Sequence, residues 1–204
     1  MSETTRKCPK QAYDVLLSFS GNLLVMFVLM IGSAIAQSPL IGKPAANHIG
    51  PEKLYPDPTM TPGKAETVSL DDLTAEWECP TGINKDSCTY SQSHRAVSKA
   101  VHKKVYDEYT VAPAERNIKH GEVDHFDPLC NGGSNDIENL WYQPDTNKWN
   151  GKNYGFHEKD ALETWICVEV KAGRLEPRKA FQKVTADWVA YYDEVKPKKA
   201  KHTD

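Results

Sequence analysis

Asp124 and His125 stand side by side in a stretch, GEVDHFDPLCNGGSNDIENLW (residues 121–141), whose residue types can do hydrolytic chemistry. Asn139 lies near its end, and His157 follows in FHEKD (residues 156–160). A neutral imidazole can take a proton from water near neutral pH, because its ordinary pKa is close to the working pH. A carboxylate is a hard oxygen ligand for a small divalent cation. Neighbours in a regular strand point to opposite faces, so Asp124 and His125 serve one site only at a strand end or bulge.

The elements that must position these groups are readable from pattern. Glu122–Pro128 and Glu138–Gln143 read as two short strands, joined through the turn residues of LCNGGSND. Pro144–Tyr154 reads as an irregular polar stretch. Phe156–Val170 is expected to be a helix carrying Leu162, Ile166 and Val170 on one face, with Gly173 suited to its end. Arg178–Glu194 is expected to be a second, with Ala180, Phe181, Val184, Trp188, Val189 and Tyr192 as its apolar stripe. Upstream, Ser93–Tyr109 predicts a helix with Val97, Val101 and Val105 facing the core. Its Arg95, Lys99 and Lys103 recur every fourth residue, a spacing that fits a phosphate-contacting face or an ordinary solvated one. Thr67–Asp72 could start a strand or cap a helix, and Trp141 and Trp165 are expected in the core.

The 204 residues carry a formal charge of −3. Bulk charge therefore does not draw the chain to nucleic acid, and any such binding must come from a local basic patch. Residues 1–36 combine Arg6, Lys7 and Lys10 with an apolar run from Leu16 that ends in Ala34-Ile35-Ala36. That is the pattern of a secretory signal peptide cleaved before Gln37, with an uncleaved membrane anchor as the alternative. Export permits disulfides, and Cys79, Cys88, Cys130 and Cys167 remain beyond that segment. Four cysteines allow three connectivities; the preferred one closes a short loop with Cys79–Cys88 and leaves Cys130–Cys167. Residues 37–66 hold six prolines and read as an extended lead-in, 67–194 as the functional domain, and 195–204 as a basic disordered tail.

The order strand, turned loop, strand, polar loop, helix, with Val123-Asp124-His125, Pro128-Leu129-Cys130-Asn131-Gly132-Gly133-Ser134-Asn135-Asp136, Asn139-Leu140-Trp141 and Lys159-Asp160-Ala161-Leu162-Glu163 in succession, resembles the HNH endonucleases, in particular small exported bacterial HNH-like proteins. The resemblance extends over roughly residues 54–193, through Tyr55-Pro56-Asp57-Pro58, Thr61-Pro62-Gly63, Val105-Tyr106-Asp107-Glu108-Tyr109 and Ala186-Asp187-Trp188. It implies an α+β fold with a small ββα-metal (His-Me finger) core and flanking helices. It implies hydrolysis of phosphodiester bonds in nucleic acid, with DNA the first expectation and RNA the alternative. His125 would be the general base, and Asn139 would tie the loop and orient the His125 ring. Asp124 and His157 would ligate one divalent cation, Mg²⁺ or Mn²⁺ with Zn²⁺ as an option, and Glu158 and Asp160 are alternative ligands. Lys159, with Arg95, Lys99 and Lys103, would contact phosphate. The competing expectation is a non-catalytic nucleic-acid or partner-binding protein that keeps the same scaffold.

Overall fold

The computed structural model describes residues 38–44 and 50–197 and is an α+β chain. The expected signal or anchor segment and most of the basic tail lie outside these residues. Two short strands, β1 (Leu40–Ile41) and β2 (Lys64–Ala65), pair antiparallel. Three helices follow, α1 (Leu70–Thr74), α2 (Tyr90–His94) and α3 (Lys99–Glu108). The central hairpin is β3 (Gly121–His125) with β4 (Leu140–Pro144), and a small one is β5 (Lys148–Trp149) with β6 (Lys152–Asn153). Helices α4 (Phe156–Lys171) and α5 (Pro177–Val195) complete the chain.

The hairpin is organised by burial on both faces. Its register pairs Gly121 with Pro144, Asp124 with Trp141 and His125 with Leu140. Leu140, Trp141, Tyr142 and Gln143 are all buried, so β4 is a fully covered strand. Leu162, Ile166 and Val170 of α4 and Ala180, Val184 and Trp188 of α5 join the same core. Their i, i+4 spacing is what a helix needs to put one stripe on that surface.

Several expected elements are redrawn. The single helix over 93–109 is two: Thr89 caps α2, Ser98 caps α3, and Arg95–Ser98 between them is extended or bent. Ser is a strong N-cap and here accepts from the Val101 N–H, so the helix restarts at Lys99 instead of running through. Arg95 is thus at the C-cap of α2 and does not share a helical face with Lys99 and Lys103. The 67–72 stretch resolves to a helix start, with Ser69 capping α1. The irregular 144–154 stretch holds the β5–β6 hairpin, whose Asn150-Gly151 turn has φ 48° and 76°. Asn-Gly is the preferred pair where both turn residues must be left-handed. In α5 the chain leaves helical geometry at Asp187 (φ −163°, ψ 91°), where the Asp187 carboxylate accepts from the Ala190 N–H and recaps the second segment.

The proline-rich lead-in is part of the core. Leu54 has no exposed surface, and its carbonyl accepts from the Trp188 indole at 2.9 Å. Thr61 is buried, bonding the Leu140 carbonyl at 2.8 Å and accepting from the Tyr109 hydroxyl at 2.9 Å. Both expected disulfides form, Cys79–Cys88 and Cys130–Cys167, with Cα separations of 5.1 and 5.5 Å. Among the described residues no helix is long and apolar enough to cross a membrane.

Candidate functional site

The β3–β4 connection is a folded loop, with 3-10 turns at Leu129–Asn131 and Ile137–Asn139. Gly132 ends the first turn in the left-handed region (φ 93°), and any Cβ on Gly133 would run into the Asp127 carbonyl oxygen. The double glycine therefore lets the loop fold back against its own entry. Asn139 ties it there. Its Oδ1 accepts from the Asp127 N–H at 2.9 Å and the Lys64 N–H at 3.3 Å. Its Nδ2 donates to the Asp127 carbonyl at 3.0 Å and the Ser134 carbonyl at 2.9 Å. The loop-tying role expected of Asn139 is thus visible in the geometry. The ring-orienting role falls to another residue, because the Asn139 amide is spent on backbone.

That residue is Asn135. Its Nδ2 donates to the His94 carbonyl at 2.8 Å and its Oδ1 accepts from the Ala96 N–H at 3.2 Å, which fixes the orientation of the amide. The same Oδ1 lies 3.2 Å from His125 Nε2. An amide oxygen only accepts, so Nε2 carries the hydrogen and Nδ1 keeps its lone pair. His125 is 3% exposed, and burial, opposed by the Asp124 carboxylate, lowers its pKa to about 4. The imidazole is therefore neutral at physiological pH, while a pKa this far below the working pH makes it a weaker proton acceptor than an ordinary histidine. Arg95 is close enough for its charge to act on both His125 and Glu122.

Helix α4 lays Lys159, Glu163 and Cys167 along one line at intervals of four residues, the spacing of one helical face. Cys167 staples that line to the loop through Cys130. The Lys159 side chain has no exposed surface. Its Nζ donates to Glu163 Oε1 at 2.5 Å, to the His125 carbonyl at 2.9 Å and to Asp124 Oδ2 at 3.4 Å. Burial by itself would lower the lysine pKa, but Glu163 and Asp124 override it and hold the group above its ordinary value. Glu163 is pushed upward by burial and by Asp124, in spite of Lys159. One ammonium cannot fully neutralise two carboxylates in a low-dielectric setting. Nearby, burial followed by Asp124 and Asp160 raises Glu122 to about 8.

The remaining expected site residues are placed elsewhere. His157 Nε2 lies 3.1 Å from Asp145 Oδ1, beside the open end of the hairpin where Gly121 meets Pro144, whereas His125 is at the loop end. Glu158 Oε2 accepts from the Gly155 N–H at 3.1 Å and the Asn153 amide at 2.8 Å, closing the start of α4. Asp124 and His157 therefore do not form a shared ligand set, and among the described residues no group of three His, Cys, Asp or Glu could hold a metal ion. As placed, Asp124 and His157 do not assemble the cation site that the motif order implies. Lys159 cannot reach a phosphate from its buried position. Lys99 and Lys103 lie on α3 around a shallow groove with His102, Tyr106 and Arg116, and Lys103 pairs with Asp107 at 2.6 Å.

Asn135, which bonds the His125 ring, and Glu163, which bonds Lys159, are contacts that sequence spacing alone does not single out. Both had a signal: Asn135 sits inside the GGSND turn, and Glu163 lies four residues after Lys159. Comparison with protein-family models, with curated proteins and with solved structures finds no match for this chain.

Proposed function

We propose that the chain is an exported HNH-type phosphodiester hydrolase acting on nucleic acid, DNA in preference to RNA, with His125 as general base. The observation that supports it best is the His125 imidazole: neutral, held by Asn135 in the Nε2–H tautomer, and within the electrostatic reach of Arg95. In this reading Nδ1 takes a proton from the attacking water as its oxygen bonds phosphorus, and the P–O bond to the departing sugar oxygen breaks. That oxygen takes a proton from solvent, and the Arg95 charge offsets the negative charge that grows on the phosphate. The antiparallel β3–β4 hairpin with α4 beside it supports this reading. Export is supported by two formed disulfides in a chain of this length and by the signal-like pattern of residues 1–36.

A second reading, a non-catalytic binding protein on the same scaffold, is favoured by the deep burial of His125 and the poor fit to a divalent cation. One assay separates the two. Supercoiled plasmid is incubated with the oxidised protein in Mg²⁺, Mn²⁺, Zn²⁺ or EDTA, beside His125→Ala. Nicking in any condition that disappears in His125→Ala, with the fold retained, supports hydrolysis. Absence of nicking in every condition, from protein shown to be folded, retracts it in favour of binding alone.

A further inference from the structure

Asp124, one of the expected cation ligands, shares the Lys159 ammonium with Glu163. We propose that the Lys159 ammonium is a built-in counter-ion that fills the cation position between Asp124 and Glu163, so that this carboxylate pair binds no divalent metal.

The geometry carries this in three steps. An ammonium has three hydrogens to donate. All three are accounted for, by Glu163 Oε1, the His125 carbonyl and Asp124 Oδ2. The group is therefore saturated in the pattern of a small cation held by three protein oxygens. A divalent ion could enter only by displacing the ammonium, and the displaced charge would stay buried, because the Lys159 side chain has no exposed surface. Stranding a buried charge is far more costly than leaving the pair as it stands, and Mg²⁺ in addition gives up its water reluctantly. The sequence places the cation on the same helical line as Cys167, whose disulfide pins α4 against the loop and limits how far Lys159 can withdraw.

Lys159 then does two things at once. It neutralises the carboxylate next to His125, and it holds the His125 carbonyl, which sets where that residue leaves β3. It acts as a positioning residue for His125, and in this respect the inference rests on the hydrolase reading. The counter-ion role itself does not.

The test is a Mn²⁺ titration followed by electron paramagnetic resonance, on the purified disulfide-bonded chain, with Asp124→Asn and Lys159→Met beside it. The wild type is expected to leave the free Mn²⁺ signal unchanged at metal concentrations up to the order of 1 mM, the weak end for exported cation sites. Lys159→Met keeps an unbranched side chain, one atom shorter and without the charge, and is expected to gain Mn²⁺ binding. Mn²⁺ binding by the wild type that Asp124→Asn abolishes overturns the proposal. Wild-type binding that Asp124→Asn leaves intact places the ion elsewhere and supports a closed pair. A folded Lys159→Met that binds no Mn²⁺ also overturns it, since the pair would then have no capacity for a cation. Should Lys159→Met not fold, the wild-type and Asp124→Asn titrations decide alone. A chain that cleaves no nucleic acid but shows the expected titrations loses the hydrolase reading and keeps this one.

Discussion

Asn139→Ala should destabilise the fold by about 3 to 5 kcal/mol, because one amide satisfies four backbone groups where water does not reach. Asn139 has no exposed surface. Truncation removes the acceptor for the Asp127 and Lys64 N–H groups and the donor for the Asp127 and Ser134 carbonyls. A stranded buried polar group costs about 1–3 kcal/mol, and the shortened side chain leaves room for at most partial solvent rescue. The Lys64 contact, at 3.3 Å, is the weakest of the four and sets the lower end of the range. Against a typical total of about 5–15 kcal/mol for a domain, the loss is large. Urea unfolding of the oxidised protein, with tryptophan fluorescence as the probe, reads it as a lower midpoint at similar slope. Asn139→Asp separates the two halves of the interaction: it keeps an acceptor for the N–H groups but turns a second oxygen on the two carbonyls. A loss below about 1 kcal/mol in Asn139→Ala, the value of a single net hydrogen bond, would refute the claim that this amide holds the loop.

Other consequences are sharp enough to measure. The folded His125 pKa of about 4 lies below its ordinary 6.5, so the unfolded chain takes up a proton first as pH falls. The contribution is complete above pH 6.5 and is lost progressively as pH falls toward 4, about 3 kcal/mol in all, and His125→Phe should flatten that part of the stability–pH curve. Asn135→Asp places a carboxylate against Nε2–H and should raise the His125 pKa, read by NMR titration of the ring, while Asn135→Ala should free the tautomer. Removing Cys130–Cys167, with a separation of 37 residues, should cost about 4 kcal/mol on the loop-entropy account, against about 2.5 kcal/mol for Cys79–Cys88 with a separation of 9. Equal losses in the two paired Cys→Ala variants, by the same urea assay, would count against that ordering.

Periodicity made the long elements legible. The apolar positions of α4 and α5 sit where a 3.6-residue repeat puts them, and both disulfides follow from four cysteines and one short loop. The strands around Asp124 and Leu140 were visible as runs bounded by turn residues. The breaks were harder. Val97, Val101 and Val105 fit one uninterrupted stripe, yet Ser98 starts a new helix, since a capping hydroxyl competes locally with helix continuation. Asn150-Gly151 carried a hairpin signal that its polar flanks concealed. The largest gap lies in the site. Spacing can say that Lys159 and Glu163 share a face, but not that the face is buried against Asp124. Nor can it say that His157, two residues earlier on the same helix, turns toward Asp145 instead. Those outcomes depend on how α4 is rotated over the hairpin, which the whole core decides.

That rotation also says what the polar cluster is not for. A buried ammonium held by one buried and one partly exposed carboxylate loses more solvation than the attraction returns, unless the geometry is close to ideal. Here one contact is 2.5 Å and another 3.4 Å, and burial, followed by the Asp124 charge, pushes Glu163 upward in spite of Lys159. A row of leucine-sized side chains along the same line of α4 would pack on β3 with less desolvation. The packing that needs no charge is already supplied by Leu162, Ile166 and Val170 around it. What apolar residues could not supply is a donor to the His125 carbonyl and a fixed positive charge beside Asp124. The cluster is therefore better explained by the placement of residues 124 and 125 than by stability, and a hydrophobic replacement at Lys159 and Glu163 together should leave a chain that folds but holds His125 less well.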